Sequence, residues 1–404
     1  MKHIYIFNSS VRGSAYGVGT YISQLIGALK NTEYNVTVVN IINKDIEFDI
    51  LKKNTVRYIS IPAPVIDKND LSNEAFQKSI PFILYPYIEK NEKNIFHLNF
   101  MGNIYLAQYL RLYFDGSIVI TVHYTDWCFT LLGNRTKLQC ILRNKEELLD
   151  TQSQIILKNL TQEKELLNIC DKIVSLSKHS YHDLLKIHKV DKNKLLLINN
   201  ALKDSFNKNE DNKSAIRKKF CIDHDDIILV FAGRLNISKG IDILINSFKF
   251  VIEKHPNAHL FIAGEGEFSM CLSVSSPIWK RISFTGFLFK KNLHELYSIA
   301  DIGIIPSLHE AFGYVAVEMM SHEIPVVVNN ISGLSEIIDD NINGLKVTVN
   351  SNKKTWWKLA DRINYLIENP DERKRIGKNA REKYKTHYNL KLFKERMLAL
   401  YDSL

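Results

Sequence analysis

Short apolar runs alternate with longer stretches of helical periodicity along most of this chain, and that alternation constrains the fold more than any other feature. The strand-like runs cover residues 4–7, 36–39, 58–61, 95–98, 118–122, 172–176 and 195–198. After a gap they resume at 227–232, 258–263, 282–285, 302–305 and 325–328. Between them, stretches such as 18–29 and 293–300 carry apolar residues at helical spacing. Strand and helix in turn argue for parallel sheets with crossover helices, the doubly wound α/β class. No repeat of 20–50 residues competes with that reading.

The 404 residues suffice for two such sheets. A boundary is expected near residue 200, where a strand ending in Asn199-Asn200 is followed by a polar stretch, 203–213, rich in Asn, Lys and Asp. The expected domains are residues 1–200 and 201–385, each Rossmann-like, with 386–404 as a terminal helix. Residues 131–168 are the least legible, read as charged helices or a mobile excursion able to serve as an acceptor lid.

The net charge of +9 is spread over both halves. A nucleic-acid binder concentrates such charge on one face, so that class is set aside. A diffuse positive field suits anionic substrates or peripheral contact with an anionic membrane, and equally serves solubility alone. The five cysteines are scattered without metal or redox spacing, which points to buried thiols in a reducing compartment. Met1 to Asn8 read as a first core strand rather than a signal peptide. No apolar run approaches the ~18 residues of a membrane span. A cytoplasmic location is expected, with contact at the inner membrane face as an option.

Chemistry concentrates at strand ends. Pro306 to Glu318 follows an apolar run and opens a helix, with Glu310 in the loop and Glu318 inside the helix. Unpaired N–H groups at the helix start, near Phe312, Gly313 and Tyr314, suit a phosphate or an electron-rich sugar oxygen. Glu310 can reach a sugar hydroxyl and Glu318 a ribose diol. Gly233 to Gly240 also follows a strand. Its Arg234 and Lys239 suit a diphosphate as planar fork and compact charge, or else simply face solvent. Gly264 and Gly266 permit close approach of a ligand to backbone. His123 ends one strand-like run and His97 another, where parallel sheets bind ligands; packing of a crevice wall is an alternative for His97. Asp126 and Trp127 lie near His123 as acceptor-side candidates, together with His97. No His/Cys/Asp cluster has metal-ligand spacing, so no metal is expected.

The order of these segments resembles the retaining GT-B glycosyltransferases of family 4, the glycosyltransferase group 1 enzymes. Glu310 and Glu318 match the family's Glu-x7-Glu motif, and Gly233-Arg234 with Lys239-Gly240 its Gly-Arg-x4-Lys-Gly loop. Ala263 to Glu267 is similar to its Gly-x-Gly loop. The stretch Phe284 to Phe287 is similar to its nucleobase-contacting segment, with Phe287 as core or wall. Gly17-Val18-Gly19 stands where the family has a glycine-rich turn beside the donor phosphates; Tyr16 replaces the first glycine of the usual pair, leaving Gly17 for the close contact. Family members often carry a His at the position of His123, facing the donor sugar. Ser321 to Pro325 lacks the family's glycine before the proline, and Ser332-Gly333 stands for its Gly-Gly pair. The stretch from His97 through Asn134 also resembles a Bacteroidetes subgroup, some members of which sit beside radical-SAM peptide-maturation enzymes.

The resemblance implies two Rossmann-like domains facing across a cleft, with the terminal helix crossing back to the first. It implies donor binding on the second domain, acceptor binding on the first, no cofactor and no metal for transfer. The expected activity is retaining transfer of a hexose from a nucleoside diphosphate sugar to a lipid-linked, polysaccharide or peptide acceptor. In this reading Arg234, Lys239, Glu310 and His123 are catalytic. The rival is a nucleotide-sugar-binding partner subunit without catalysis, which would lack a phosphate or sugar contact.

Overall fold

A computed structural model describes residues 2–9, 17–42, 47–64, 70–144, 150–204, 206, 213–350 and 352–404. The chain divides into two compact units, residues 1–201 with 390–404, and residues 202–389.

The first unit is built on strands β1 (Lys2–Ser9), β2 (Asn35–Ile42), β3 (Asp49–Lys53), β4 (Val56–Pro62), β5 (Lys93–Leu98), β6 (Ser117–Val122), β7 (Lys172–Ser175) and β8 (Leu195–Leu197). They form one sheet in the order β3-β4-β2-β1-β5-β6-β7-β8. All pairings are parallel except β3 with β4. The sequence does not announce β3: its five residues are all exposed, so it has no apolar alternation to read. The helices are α1 (Gly17–Leu29), α2 (Asp70–Leu84), α3 (Ile104–Tyr113), α4 (Asp126–Thr130), α5 (Arg135–Arg143), α6 (Thr151–Ile169) and α7 (Lys178–Lys186).

On one sheet face Tyr5, Phe7, Val39, Ile59, Phe96 and Leu98 pack with α2 and α3 residues such as Ile80, Leu84, Leu106 and Leu110. The region expected to be illegible is helical where described. Trp127, Leu131, Leu138, Ile141, Ile156 and Leu160 form a separate apolar cluster. This packing of α4, α5 and α6 replaces the expectation of a mobile excursion, apart from 145–149, which lie outside the described residues. Asn134 and Asp150 cap α5 and α6 through their side chains, accepting from Lys137 and Ser153 backbone N–H groups.

The second unit opens with α8 (Lys213–Lys219). Its sheet holds β9 (Ile227–Ala232), β10 (Ala258–Ala263), β11 (Ile282–Gly286), β12 (Ile302–Ile305), β13 (Val326–Asn329) and β14 (Leu345–Val347). The order is β11-β10-β9-β12-β13-β14, all parallel. The helices are α9 (Ile241–Lys254), α10 (Phe268–Ser275), α11 (Lys290–Ile299), α12 (Tyr314–Ser321), α13 (Ser332–Ile337), α14 (Trp356–Glu368) and α15 (Pro370–His387). A last helix, α16 (Leu390–Asp402), belongs to the first unit and packs on α1. Strands such as Ile228–Phe231 and Val326–Val328 are buried on both faces, as a doubly covered parallel sheet requires.

Cys128, Cys170 and Cys271 are buried, whereas Cys140 and Cys221 are exposed, so the expectation of buried thiols holds for three of the five. Among the described residues no helix is long and apolar enough to cross a membrane.

Candidate functional site

In a parallel sheet the carboxyl ends of the strands bind ligands, most readily where strand order reverses. In the second unit that reversal falls at β9, between β10 and β12. The loops after these strands are stitched together through backbone. Gly233 N–H donates to the Ala263 carbonyl at 2.9 Å, Gly264 N–H to Gly286 at 2.9 Å, and Leu308 N–H to Ser238 at 2.8 Å. Two of the glycines are required by contact. A Cβ on Gly264, at φ +150°, would sit 1.7 Å from the Gly233 carbonyl oxygen, and one on Gly240, at φ +66°, 2.3 Å from that of Pro306.

This stitching brings the two predicted motifs into contact. Lys239 Nζ lies 2.5 Å from Glu310 Oε1, with both side chains partly exposed. Ser307 Oγ donates to the same oxygen at 3.0 Å. Asn236 shapes the loop: its Oδ1 accepts from the Lys239 backbone N–H at 3.1 Å and from Ser238 Oγ at 2.8 Å. Ser307 is held by Asn329, a buried amide bridging the Ser307 and Val349 carbonyls at 3.0 Å each. Arg234 lies on the same loop as Lys239, directly after Gly233.

Gly313 caps α12 at φ 110°. Glu318 lies one turn into that helix and accepts from Tyr297 OH at 3.4 Å. Burial pushes its carboxyl up to about 7, with Lys290 and Tyr297 pulling the other way. Phe312 is buried and its ring meets Tyr314 and Tyr388 edge-on at 5.4 and 5.8 Å, so its side chain is packed away. Phe287 is 40% exposed beside Phe289 and is therefore not core. Gly266 is bridged to Leu235 in parallel fashion, beside the Arg234 loop. The second unit therefore assembles Gly233, Arg234, Lys239, Gly264, Gly266, Phe287, Glu310, Phe312, Gly313, Tyr314 and Glu318 on neighbouring strand ends.

The remaining candidates lie in the first unit. His123 follows β6, and its Nε2 lies 3.2 Å from Asn99 Oδ1. The Asn99 amide donates to the Phe7 carbonyl at 3.0 Å, which leaves Oδ1 to accept from His123 Nε2–H. Neutral His123 therefore keeps Nδ1 as its bare acceptor. Tyr21 of α1 stands edge-on to the ring at 4.7 Å. His97 is enclosed: Nδ1 lies 2.6 Å from Tyr401 OH and Nε2 2.8 Å from Thr121 Oγ1, which also meets Tyr21 OH at 2.8 Å. Burial pushes both imidazoles down to about 3, so both are neutral near pH 7.

An acceptor-facing role for His97 is corrected by this enclosure, because both ring nitrogens are engaged and the side chain has no exposed surface. Trp127, 1% exposed in the α4–α6 cluster, is corrected likewise. Asp126 is partly exposed, and its backbone N–H is held by buried Glu163 at 2.8 Å, which in turn meets His188. Gly17 begins α1, while Tyr16 and the rest of the preceding turn lie outside the described residues. Among the described residues no group of three His, Cys, Asp or Glu side chains is placed to hold a metal ion.

Sequence reasoning missed Ser307, Asn236, Tyr297 and Asn99. Only Asn236 had a readable signal, an Asn three residues before Lys239 in the spacing of a side-chain cap. Ser307 stands three residues before Glu310 on the same loop, whereas Tyr297 and Asn99 reach partners 21 and 24 residues away, which spacing does not reveal.

Residues 212–383 match the family of glycosyl transferases group 1. A glycosyltransferase of Methanocaldococcus jannaschii, MJ1607, itself uncharacterized, is 32% identical over 183 residues, 43% of this chain and 46% of its own length. The chain spans about half the length of the curated relatives it matches first. Among solved structures, sucrose-phosphate synthase from Thermosynechococcus elongatus aligns with a TM-score of 0.79 at 19% identity, covering 100% of this chain and 99% of its own. HepE of Anabaena in complex with UDP-glucose aligns at 0.73 and 16% identity, covering 100% of both chains. The two α/β units thus have the GT-B fold, and residues 212–383 are similar to the glycosyl transferases group 1 domain.

Proposed function

We propose that this chain is a retaining glycosyltransferase that moves a hexose from a nucleoside diphosphate sugar to an acceptor hydroxyl. The observation that carries the reading is the contact of Lys239 with Glu310, braced by Ser307, at the strand ends where the group 1 match lies. It puts a cation for a phosphate and a carboxylate for sugar hydroxyls side by side. HepE, of like fold, holds UDP-glucose, and a donor of that kind needs both groups together.

Bond breaking between the sugar carbon and the phosphate oxygen leaves charge on the diphosphate. Arg234, Lys239 and the first turn of α12 at Gly313 are fixed before reaction and stabilise that charge. The acceptor oxygen bonds to the same face of the sugar carbon, and its proton passes to the departing phosphate oxygen. Glu310, drawn off Lys239 when the diphosphate arrives, orients the sugar. Glu318 accepts from the ribose hydroxyls, Gly264 and Gly266 admit the phosphates to backbone, and Phe287 walls the base. The resemblance implies a phosphate-side role for Gly17 and a sugar-side role for His123. Transfer needs no cofactor. The acceptor, bound by the first unit, is lipid-linked, a glycan or a peptide, and the work is cytoplasmic or at the inner membrane face.

Titration calorimetry with UDP-glucose and with UDP tests the two carboxylates. A contact made only by the sugar is absent from UDP, so Glu310→Gln lowers affinity for UDP-glucose and leaves UDP affinity intact. Glu318→Gln weakens both ligands. Equal losses in Glu310→Gln would remove that residue from the sugar.

A further inference from the structure

A parallel sheet is normally covered on both faces, and the first unit departs from that rule at one place. The register aligns Ile4 with Val36 and Val56, and Asn8 with Asn40 and Ser60. Alternation puts Val38, Asn40, Val56 and Tyr58 on the face that α1 covers. The opposite face holds Val39, Ile41, Ile59 and Ile61, packed under α2. Chain passage from β2 to β4 runs through antiparallel β3 and not through a crossover helix. Among the described residues no helix therefore lies over β4 on the α1 side.

The result is a cavity of about 360 Å³ between one stripe of α1 and the β2–β4 floor. The stripe presents Ile22, Ser23, Ile26 and Lys30; Tyr21, on another side of α1, meets Thr121 and His123. The cavity therefore lies on the other flank of α1 from His123. Its lining has a definite chemical sense. Lys30 and Lys53 both line it, no Asp or Glu does, and neither lysine forms an ion pair among the described residues. Asn8 donates to Asn40 Oδ1 at 2.9 Å, while its own Oδ1 is buried without a partner. Ser23, Asn40 and Tyr58 add donors and acceptors around it.

We propose that this groove is a binding site for an anionic monosaccharide unit, its hydroxyls on Asn8, Asn40, Ser23 and Tyr58 and its anionic group on Lys30 and Lys53. The volume supports a single sugar, since small-molecule sites span roughly 300–1,000 Å³ and this cavity is at the lower end. The sugar hydroxyls meet the polar side chains of the lining, and the anion supplies the charge that the two lysines lack. The anion is a phosphate ester or a carboxylate, and both bind by the same chemistry. The groove lies wholly in the first unit, and the inference does not rest on the donor reading.

Titration calorimetry of the full chain, with UDP present in excess to fill any nucleotide site, tests it. The probes are a hexose 6-phosphate, a hexuronate, the neutral hexose and inorganic phosphate. One of the anionic sugars is expected to bind at least about tenfold more tightly than the neutral hexose or inorganic phosphate, as charge-assisted contacts require. Which of the two binds better identifies the anion. The double variant Lys30→Ala/Lys53→Ala, both exposed residues, is expected to lose that preference and leave UDP affinity unchanged. Absence of binding by both anionic sugars overturns the site, as does equal binding of the neutral hexose, displacement by UDP, or indifference to the double variant. Failure of UDP itself to bind would count against the donor reading and leave the groove to be judged by the sugars alone.

Discussion

The two units handle polar chemistry in opposite ways. In the first, the side chains around His123 are neutral, enclosed and mutually satisfied: Tyr401, His97, Thr121 and Tyr21 form one buried chain of hydrogen bonds. In the second, Lys239 and Glu310 are charged and partly exposed, on loops whose shape depends on glycine backbone. A buried neutral network rigidifies a core, because each member is expensive to leave unpaired. An exposed ion pair contributes little stability and is readily exchanged for a ligand. The Lys239–Glu310 pair can therefore exchange its contact for a ligand, whereas the network around His123 keeps its own.

The largest effect that would break this contrast is on turnover. Lys239→Ala or Arg234→Ala is expected to cut kcat by about 10²–10³, the scale for loss of one preorganised charge contact. Thermal stability should hardly change, since the Lys239–Glu310 pair is a partly exposed one. Steady-state kinetics with a nucleotide-sugar donor, alongside thermal unfolding, checks both halves. Turnover within a few-fold of the parent would mean that the loop does not hold the diphosphate. A large loss of stability would mean that the pair is structural, and the contrast between the units would fail.

Glu318 sharpens the comparison because it is the site's half-buried carboxyl. Its pKa is raised to about 7 from the usual 4.5, so the folded state holds a proton that the unfolded state has released. The stability linked to that proton is full below about pH 4.5 and is lost as pH rises through about 7. Glu318→Gln cannot titrate, so its stability relative to the parent should rise between those values, by about 2 kcal/mol after allowance for partial solvent access. Denaturant unfolding at pH 5 and pH 8 measures the difference. An equal gap at the two pH values would show an ordinary ionised carboxylate there.

The sequence made these two kinds of site unequally legible. Glu310, Glu318, Arg234 and Lys239 stand at fixed spacings around glycines, and local spacing survives folding because each loop follows its own strand. The parallel strands were readable for the same reason, as apolar runs between helical periods. By contrast, β3 is exposed along its whole length and carries no pattern. His97 looked like a ligand-facing residue from its place at a strand end. What encloses it is Tyr401, 304 positions away in the chain. The apolar cluster of α4, α5 and α6 was hidden likewise, since Trp127 and Ile156 meet only after the chain has turned back.

The smallest expected effect tests whether the enclosed network matters to the fold alone. Tyr401→Phe keeps the ring that packs edge-on against His97 at 5.9 Å and removes the hydroxyl facing Nδ1. One buried ring nitrogen is left without its partner, which should cost about 1 kcal/mol of stability. For a unit of this size that is a fall of roughly 2–4 °C in Tm. His97 is already neutral at ordinary pH, so the variant should not introduce a new pH dependence between pH 6 and 8. Activity at a temperature well below Tm should remain within about two-fold, because Asn99 and not His97 is the hydrogen-bond partner of His123. A larger fall in kcat with unchanged KM would show that the chain from Tyr401 through Thr121 and Tyr21 sets the position of His123. The network around His123 would then be part of the chemistry, and its contrast with the open Lys239–Glu310 pair would no longer hold.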